Sequence, residues 1–227
     1  MHRTADEARA DAIRVMGQEL GDLYSALWQE VAWLHAKWEE HVVLFGAKES
    51  RVELLNRAAP RFARIIQDTL WEDVLLHIAR LTDPPKSAGK ENLTIQRLAS
   101  LVDEPVTRAK VAELVDAAQM ATEFCRDWRN RHLAHRDLRL ALNRGAQPLR
   151  EASRLGVWAA LRSIVATLNA ISARYRDATS MFEVGPNLGG ALNLLHVIDE
   201  GLNAAEERQS RLTSGRFEPR DLAHRDL

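Results

Sequence analysis

The sequence has little cysteine, no excess of either charge and no long apolar run. A single cysteine, Cys125, among 227 residues excludes an internal disulfide and favours a reducing, cytoplasmic setting. Thirty-one Lys and Arg against thirty-two Asp and Glu leave a net charge of −1. No global pull toward nucleic acid or an acidic membrane exists, so any such pull must come from local clustering. The first nine residues, Met1 to Arg9, lack the apolar stretch of a signal peptide, and export is not expected. Apolar stretches are interrupted every few positions, and no window approaches the ~20 apolar residues of a spanning helix, so no membrane partner is expected. Sustained period-2 alternation is missing, as is an Asn-Gly or Asp-Gly turn between apolar runs, which argues against a sheet.

What is present is helical. Apolar residues make up 46% and charged residues 28%, close to the globular average, so a buried core is feasible and general disorder is not expected. Thr4 and Glu7 form a possible capping box, followed by apolar residues at helical spacing (Leu20, Leu23, Leu27, Val31, Leu34, Trp38, Val42) until Gly46. Ser50 and Glu53 suggest a second box. It opens a helix through Leu54, Ile65, Leu70, Val74 and Ile78 to Leu81, with Pro60 kinking or splitting it and Asp83-Pro84-Pro85 stopping it. A connection with a short helix around Ile95–Leu101 leads to Asp103-Glu104-Pro105, whose acids and early proline suit a helix start. That third helix carries Val111, Val115, Ala118, Phe124 and Cys125 on its apolar stripe. After a turn at 144–148, a fourth helix places Leu155, Trp158, Leu161, Val165, Leu168 and Ile171 on one stripe and breaks at Gly185-Pro186-Asn187. A fifth runs from about Leu188 to Glu207.

These spacings predict an all-α fold, an antiparallel bundle of four to five long helices. It forms one domain over residues 1–209, with 210–227 as a C-terminal tail. The hexapeptide Leu-Ala-His-Arg-Asp-Leu occurs at 133–138 and again at 222–227, but the surroundings do not repeat, and we read the second copy as coincidence.

Chemistry concentrates in residues 126–139, where fourteen residues hold five arginines and two histidines. From 126 to 154 eight arginines face three acids, a local net charge of +5 in a nearly neutral chain. Phosphate oxygens are the natural partner of such a cluster, because guanidinium offers a planar, permanently charged fork. Arg129, Asn130 and His135 stand out, with five residues between the arginine and the histidine. Six positions on a regular helix turn by about 600°, which leaves Arg129 and His135 about 120° apart. A joint site therefore needs the helix to end or bend there, or a partner subunit to complete it. Arg131 and His135 do share a face, so Arg131 is a rival for the arginine, and His132 for the histidine. A solvated basic helix end with a capping histidine is the plainer reading of the spacing alone.

His132 and His135 are spaced to chelate, but no third ligand accompanies them, so no metal and no cofactor is expected. Cys125 reads as a small buried hydrophobe, and the six tryptophans as packing residues, with Trp128 beside the motif the exception. Arg80 and Asp83 read as a helix end with a local ion pair, and Glu72 and Asp73 as a solvated face.

Arginine, then a polar residue, then a histidine near the end of a bundle helix resembles the motif of the HEPN superfamily (higher eukaryote and prokaryote nucleotide-binding). The segments Leu70–Asp83 and Arg131–Leu138 are similar in character and order to its abortive-infection U-type branch, and the resemblance covers roughly residues 5 to 205. It implies a metal-independent endoribonuclease, a phage-defence effector or toxin, built as a symmetric homodimer with RNA as substrate and an antitoxin as a candidate partner. Arg129, Asn130 and His135 would be catalytic. Arg131, His132, Arg136, Arg80 and Asp73 would bind RNA or support the catalytic groups. The alternative is a non-catalytic HEPN-like scaffold that binds RNA or protein. Many HEPN toxins carry a tyrosine two positions after the histidine as the acceptor of an inactivating modification. Here that position is Asp137, which does not support this mode of control.

Overall fold

Helix α1 (Ala5–Met16) starts at the expected capping box, in which Thr4 Oγ1 accepts from Glu7 N at 3.2 Å and Thr4 N donates to Glu7 Oε2 at 2.8 Å. The computed structural model describes residues 4–182 and 189–223. The contact pattern divides the chain into two compact units, Met1–Trp38 with Thr69–Val184, and Glu39–Asp68 with Gly185–Leu227.

In the first unit, α1 does not continue into the next helix as the periodicity suggests. Gly17 adopts φ 83° and starts a separate helix, α2 (Gln18–His41). The helical pattern hides this break because both helices keep the same apolar spacing. Gly21 then lets α1 fold back on α2, since a Cβ there would lie 2.5 Å from Ile13 Cα. Within α2, Leu27, Val31, Leu34 and Trp38 have no exposed surface, the one-sided stripe that the spacing predicts.

The later part of α4 (Pro60–Leu81) runs antiparallel to α2. Glu30 meets His77, and Lys37 meets Asp73, so one number rises as the other falls. After Asp83-Pro84-Pro85 comes a minimal hairpin, Lys86–Ser87 against Lys90–Glu91, turned by Ala88 and Gly89 at positive φ. The turn is of the left-handed kind without the Asn-Gly or Asp-Gly signature, which is why the sequence did not reveal it. A single turn at Ile95–Arg97 and the short α5 (Leu98–Leu101) lead to α6 (Pro105–Ala121), with Glu104 capping its first turn.

The third predicted helix is interrupted at Thr122, whose hydroxyl is drawn into a buried contact described below, and resumes as α7 (Glu123–Trp128). Beyond the motif lie α8 (Leu138–Ala141) and α9 (Arg154–Arg176). Arg176 lies over the Tyr24 ring and Trp38 meets Trp158 edge-on, so α9 is antiparallel to α2. By length and composition α9 is apolar enough to cross a bilayer, contrary to the sequence reading. Here Val157, Leu161, Ile164, Leu168 and Ile171 are instead buried in the protein core. Leu155, predicted on that stripe, is 82% exposed, because it lies in the first turn before the core begins. The helix ends at Asp177, in the left-handed conformation, and the predicted break at Gly185-Pro186-Asn187 lies outside the described residues.

The tryptophans divide. Trp38 is fully buried between Trp71 and Trp158, whereas Trp33 is 64% exposed. The predicted packing role therefore fails for Trp33, whose position on α2 falls off the buried stripe.

The second unit contains α3 (Glu49–Ala58), the start of α4, α10 (Ala191–Thr213) and α11 (Pro219–Leu222). Helix α3 begins at Glu49 after Lys48 with no side-chain cap, so the Ser50–Glu53 box does not form. Pro60 takes the first position of α4 and splits the two helices, as expected. Glu40 Oε2 accepts from Ala191 N at 2.6 Å at the start of α10, and Leu44, Leu55 and Leu195 are buried. Of residues 210–227, Ser210–Thr213 continue α10. Asp221 in α11 is buried against Arg211, and the second copy of the hexapeptide lies mostly outside the described residues.

Candidate functional site

The site is built around the ends of α4 and α7. At the end of α4 the free carbonyls are satisfied from the following segment: Thr94 Oγ1 donates to Leu81 O at 3.0 Å and Gln96 Nε2 to Thr82 O at 2.8 Å. Thr82 and Thr122 are fully buried, with hydroxyls 3.1 Å apart, and Arg126 Nη1 donates to Thr122 Oγ1 at 3.1 Å. This polar link fixes the end of α4 beside α7, and it accounts for the break between α6 and α7.

The next residue, Asp83, is 8% exposed, and both its carboxylate oxygens accept from Arg129 Nη1. The local Arg80–Asp83 pair expected from the sequence does not form. Arg80 stays exposed on the last turn of α4, while Asp83 pairs with Arg129. No spacing rule connects positions 83 and 129, so the sequence reading gave Asp83 a local partner and did not place it beside Arg129.

The helix changes character at the motif. Residues Arg129–Leu133 form a π-helical turn, closed by Ala134 N donating to Arg129 O at 2.9 Å, after which the helix stops. Such widened turns are rare and frequently mark functional sites. The helix thus ends between Arg129 and His135, one of the three conditions that their 120° separation left open. Asn130 Oδ1 accepts from Arg129 Nε at 3.0 Å, so Asn130 and Asp83 together hold the guanidinium. His135 and Arg136 follow the turn and are exposed; His135 has no hydrogen bond to Arg129 or Asn130 among the described residues.

Arg131 is committed elsewhere. Its Nη1 lies 3.2 Å from Asp127 Oδ1 and 3.3 Å from Pro148 O, and its Nη2 donates to Gln147 O. Asp127 Oδ2 also accepts from Arg150 N at 2.8 Å, and Trp128 Nε1 donates to Arg150 O at 2.9 Å. Arg131, Asp127 and Trp128 thus pin the 147–150 loop to the motif. His132 sits edge-on to Trp128, with Nε2 3.6 Å from Glu72 Oε1. Asp73 pairs with Lys37, away from the motif residues. Asp137, two positions after His135, caps α8 by accepting from Leu140 N at 2.9 Å.

The charge cluster is partly neutralised. Asp83 takes Arg129, Asp127 takes Arg131, and Glu123 lies 2.7 Å from Arg150 Nη1. Arg136, Arg139 and Arg144 are exposed and have no ion pair among the described residues. Cys125 is fully buried behind the motif, and burial pushes its thiol far up, so it is an inert packing residue. Among the described residues no three His, Cys, Asp or Glu side chains converge as a metal site would need.

Comparisons with curated proteins and with solved structures returned no match. The sequence model of the HEPN_AbiU2 family, described as AbiU2, matches residues 17–195 and so spans α2 to the start of α10, the Asp83–Arg129 pair and the whole motif. The chain belongs to the AbiU2 family, the abortive-infection U-type branch of the HEPN superfamily.

Proposed function

We propose that the protein is a metal-independent endoribonuclease that acts as a phage-defence effector or toxin in the cytoplasm. The observation that carries this reading is the Arg129 guanidinium, fixed by Asp83 and Asn130 at a π-helical turn that leads directly to the exposed His135.

RNA supplies its own nucleophile. A histidine takes the 2′-hydroxyl proton as the 2′-oxygen bonds to phosphorus; a second histidine protonates the 5′-oxygen as the P–O5′ bond breaks. Arg129 stabilises the charge on the phosphorane. The products are a 2′,3′-cyclic phosphate and a 5′-hydroxyl. An imidazole with pKa near ~6.5 suits either proton transfer around neutral pH. One His135 per chain calls for a symmetric homodimer, in which the partner's motif completes the site and the unpaired arginines receive the strand.

The full chain should cleave RNA in the presence of a chelator and leave cyclic phosphate ends. Arg129→Ala and His135→Ala should each abolish cleavage while keeping the helical circular-dichroism signature. The absence of any hydrogen bond from His135 to Arg129 within one chain favours a second reading, a non-catalytic scaffold for RNA or protein. Binding of RNA without cleavage by a dimeric wild type would establish that reading instead. An antitoxin remains part of the first proposal, to be sought by co-purification with the full chain.

A further inference from the structure

A cavity of about 410 Å³ opens beside the Asp83–Arg129 pair, with Glu30, His77, Arg80, Asp83, Asn92 and Leu93 in its wall. Its size falls within the range of small-ligand sites. The wall is firmly held: Asn92 Nδ2 donates to Pro84 O at 2.7 Å and to Ser87 Oγ at 2.9 Å, which ties the hairpin back to the end of α4.

The side chain with no role in the motif is His77. It is 2% exposed, with Nε2 2.7 Å from Glu30 Oε2, yet neither ring nitrogen makes a hydrogen bond among the described residues. Burial, and then the nearby Lys37 charge, hold its pKa below the ordinary histidine value, against the opposing pull of Glu30. The buried imidazole lies directly against the Glu30 carboxylate. One carboxylate oxygen of Glu30 faces this imidazole. The other has no hydrogen bond among the described residues, and the side chain is 47% exposed. The cavity thus holds a double acceptor, with the half-exposed apolar Leu93 in the same wall, the Arg80 cation at its rim, and Glu91, which pairs with Arg97, also in its lining.

We infer that this cavity is a nucleobase subsite shaped for guanine, next to the phosphate held by Arg129. Guanine alone among the four bases presents two adjacent donors, N1–H and the 2-amino group, to a carboxylate. Uracil flanks its one donor with carbonyl oxygens, and adenine and cytosine place a ring acceptor at that edge. Each would set a lone pair against Glu30, and a site built to hydrogen-bond one group rejects analogues that lack it. Leu93 packs against the base and Arg80 meets a flanking phosphate. The inference rests on the nuclease reading for its placement along the strand, but its binding claim can be tested without cleavage.

The test is a titration of guanosine 3′-monophosphate and uridine 3′-monophosphate into the full chain labelled with ¹⁵N-histidine, following the imidazole resonances. The guanosine nucleotide should shift the His77 signals and bind at least about tenfold tighter than the uridine nucleotide. Glu30→Gln, at a half-exposed position, should remain folded and lose that preference. An unmoved His77, equal affinity for the two nucleotides, or a preference that survives in Glu30→Gln would overturn the inference. Loss of RNA cleavage alongside retained guanosine preference would sink the nuclease reading and leave the subsite standing.

Discussion

Asp83 and Arg129, 46 residues apart, form an ion pair in which one guanidinium nitrogen donates to both carboxylate oxygens. Their side chains are 12% and 24% exposed, so the pair is largely withdrawn from water. Removing one partner of such a pair leaves a charge without compensation.

Asp83→Ala should therefore destabilise the protein by about 3 kcal/mol. Combined with Arg129→Met, the loss should be less than the sum of the single changes, with a coupling of about 1–3 kcal/mol in urea unfolding. Strict additivity would show that the two side chains do not interact.

Arg131 is tied to Asp127 and to the carbonyls of Gln147 and Pro148. Arg131→Ala should free the 147–150 loop and speed hydrogen exchange at the Arg150 amide, which donates to Asp127, at a cost of about 1–2 kcal/mol. RNA cleavage should fall less than in Arg129→Ala, which separates the two rival arginines. Equal loss in both variants would assign Arg131 to the chemistry as well.

The buried His77 makes stability pH-dependent. Above pH ~6.5 the imidazole is neutral in both the folded and the unfolded chain. Below that value the unfolded chain takes up a proton that the folded state resists, because burial and Lys37 lower the folded pKa more than Glu30 raises it. The unfolded state then binds more protons, so stability falls as pH drops through ~6.5 and continues to fall down to the lower folded value. Urea midpoints measured from about pH 7.5 to about 5.5 should decline more steeply in wild type than in His77→Gln. Parallel declines would show that His77 does not carry this dependence.

In the second unit, Asp221 accepts from Arg211 Nη2 at 2.7 Å and Nε at 2.9 Å, and from Glu218 N at 3.1 Å. Arg211 first, and then the Glu218 amide, hold its carboxyl well below the usual range. Its stabilising contact is therefore complete above the unfolded carboxyl value of ~3.9 and is lost only as pH falls through the lower folded value. Asp221→Ala should release residues 216–222 and speed tryptic cleavage after Arg216 and Arg220. Wild-type protection should stay constant between about pH 8 and about pH 5. Unchanged cleavage in the variant would mean that the Arg211 contact does not hold this segment.

Much of the fold could be read from spacing. Leu27, Val31, Leu34 and Trp38 recur at helical intervals, and the same four are buried, because apolar periodicity and one-sided burial share one cause. The Thr4–Glu7 cap and the stop at Asp83-Pro84-Pro85 are local, and both form as read. The break at Gly17 and the failed Ser50–Glu53 cap were not legible, since alternative local hydrogen bonds differ by little and packing decides between them. The candidate site divides in the same way.

The sequence by itself determined the all-α class, the family and the position of the arginine–histidine motif, because these depend on residue type and on spacing within one helix. Only the tertiary structure decided that Asp83 answers Arg129, that Arg131 is spent on a loop, and that the helix widens into a π turn before His135. The first depends on which buried charge meets which between distant segments. That choice is made by desolvation and packing between segments far apart in the chain, which no local pattern encodes.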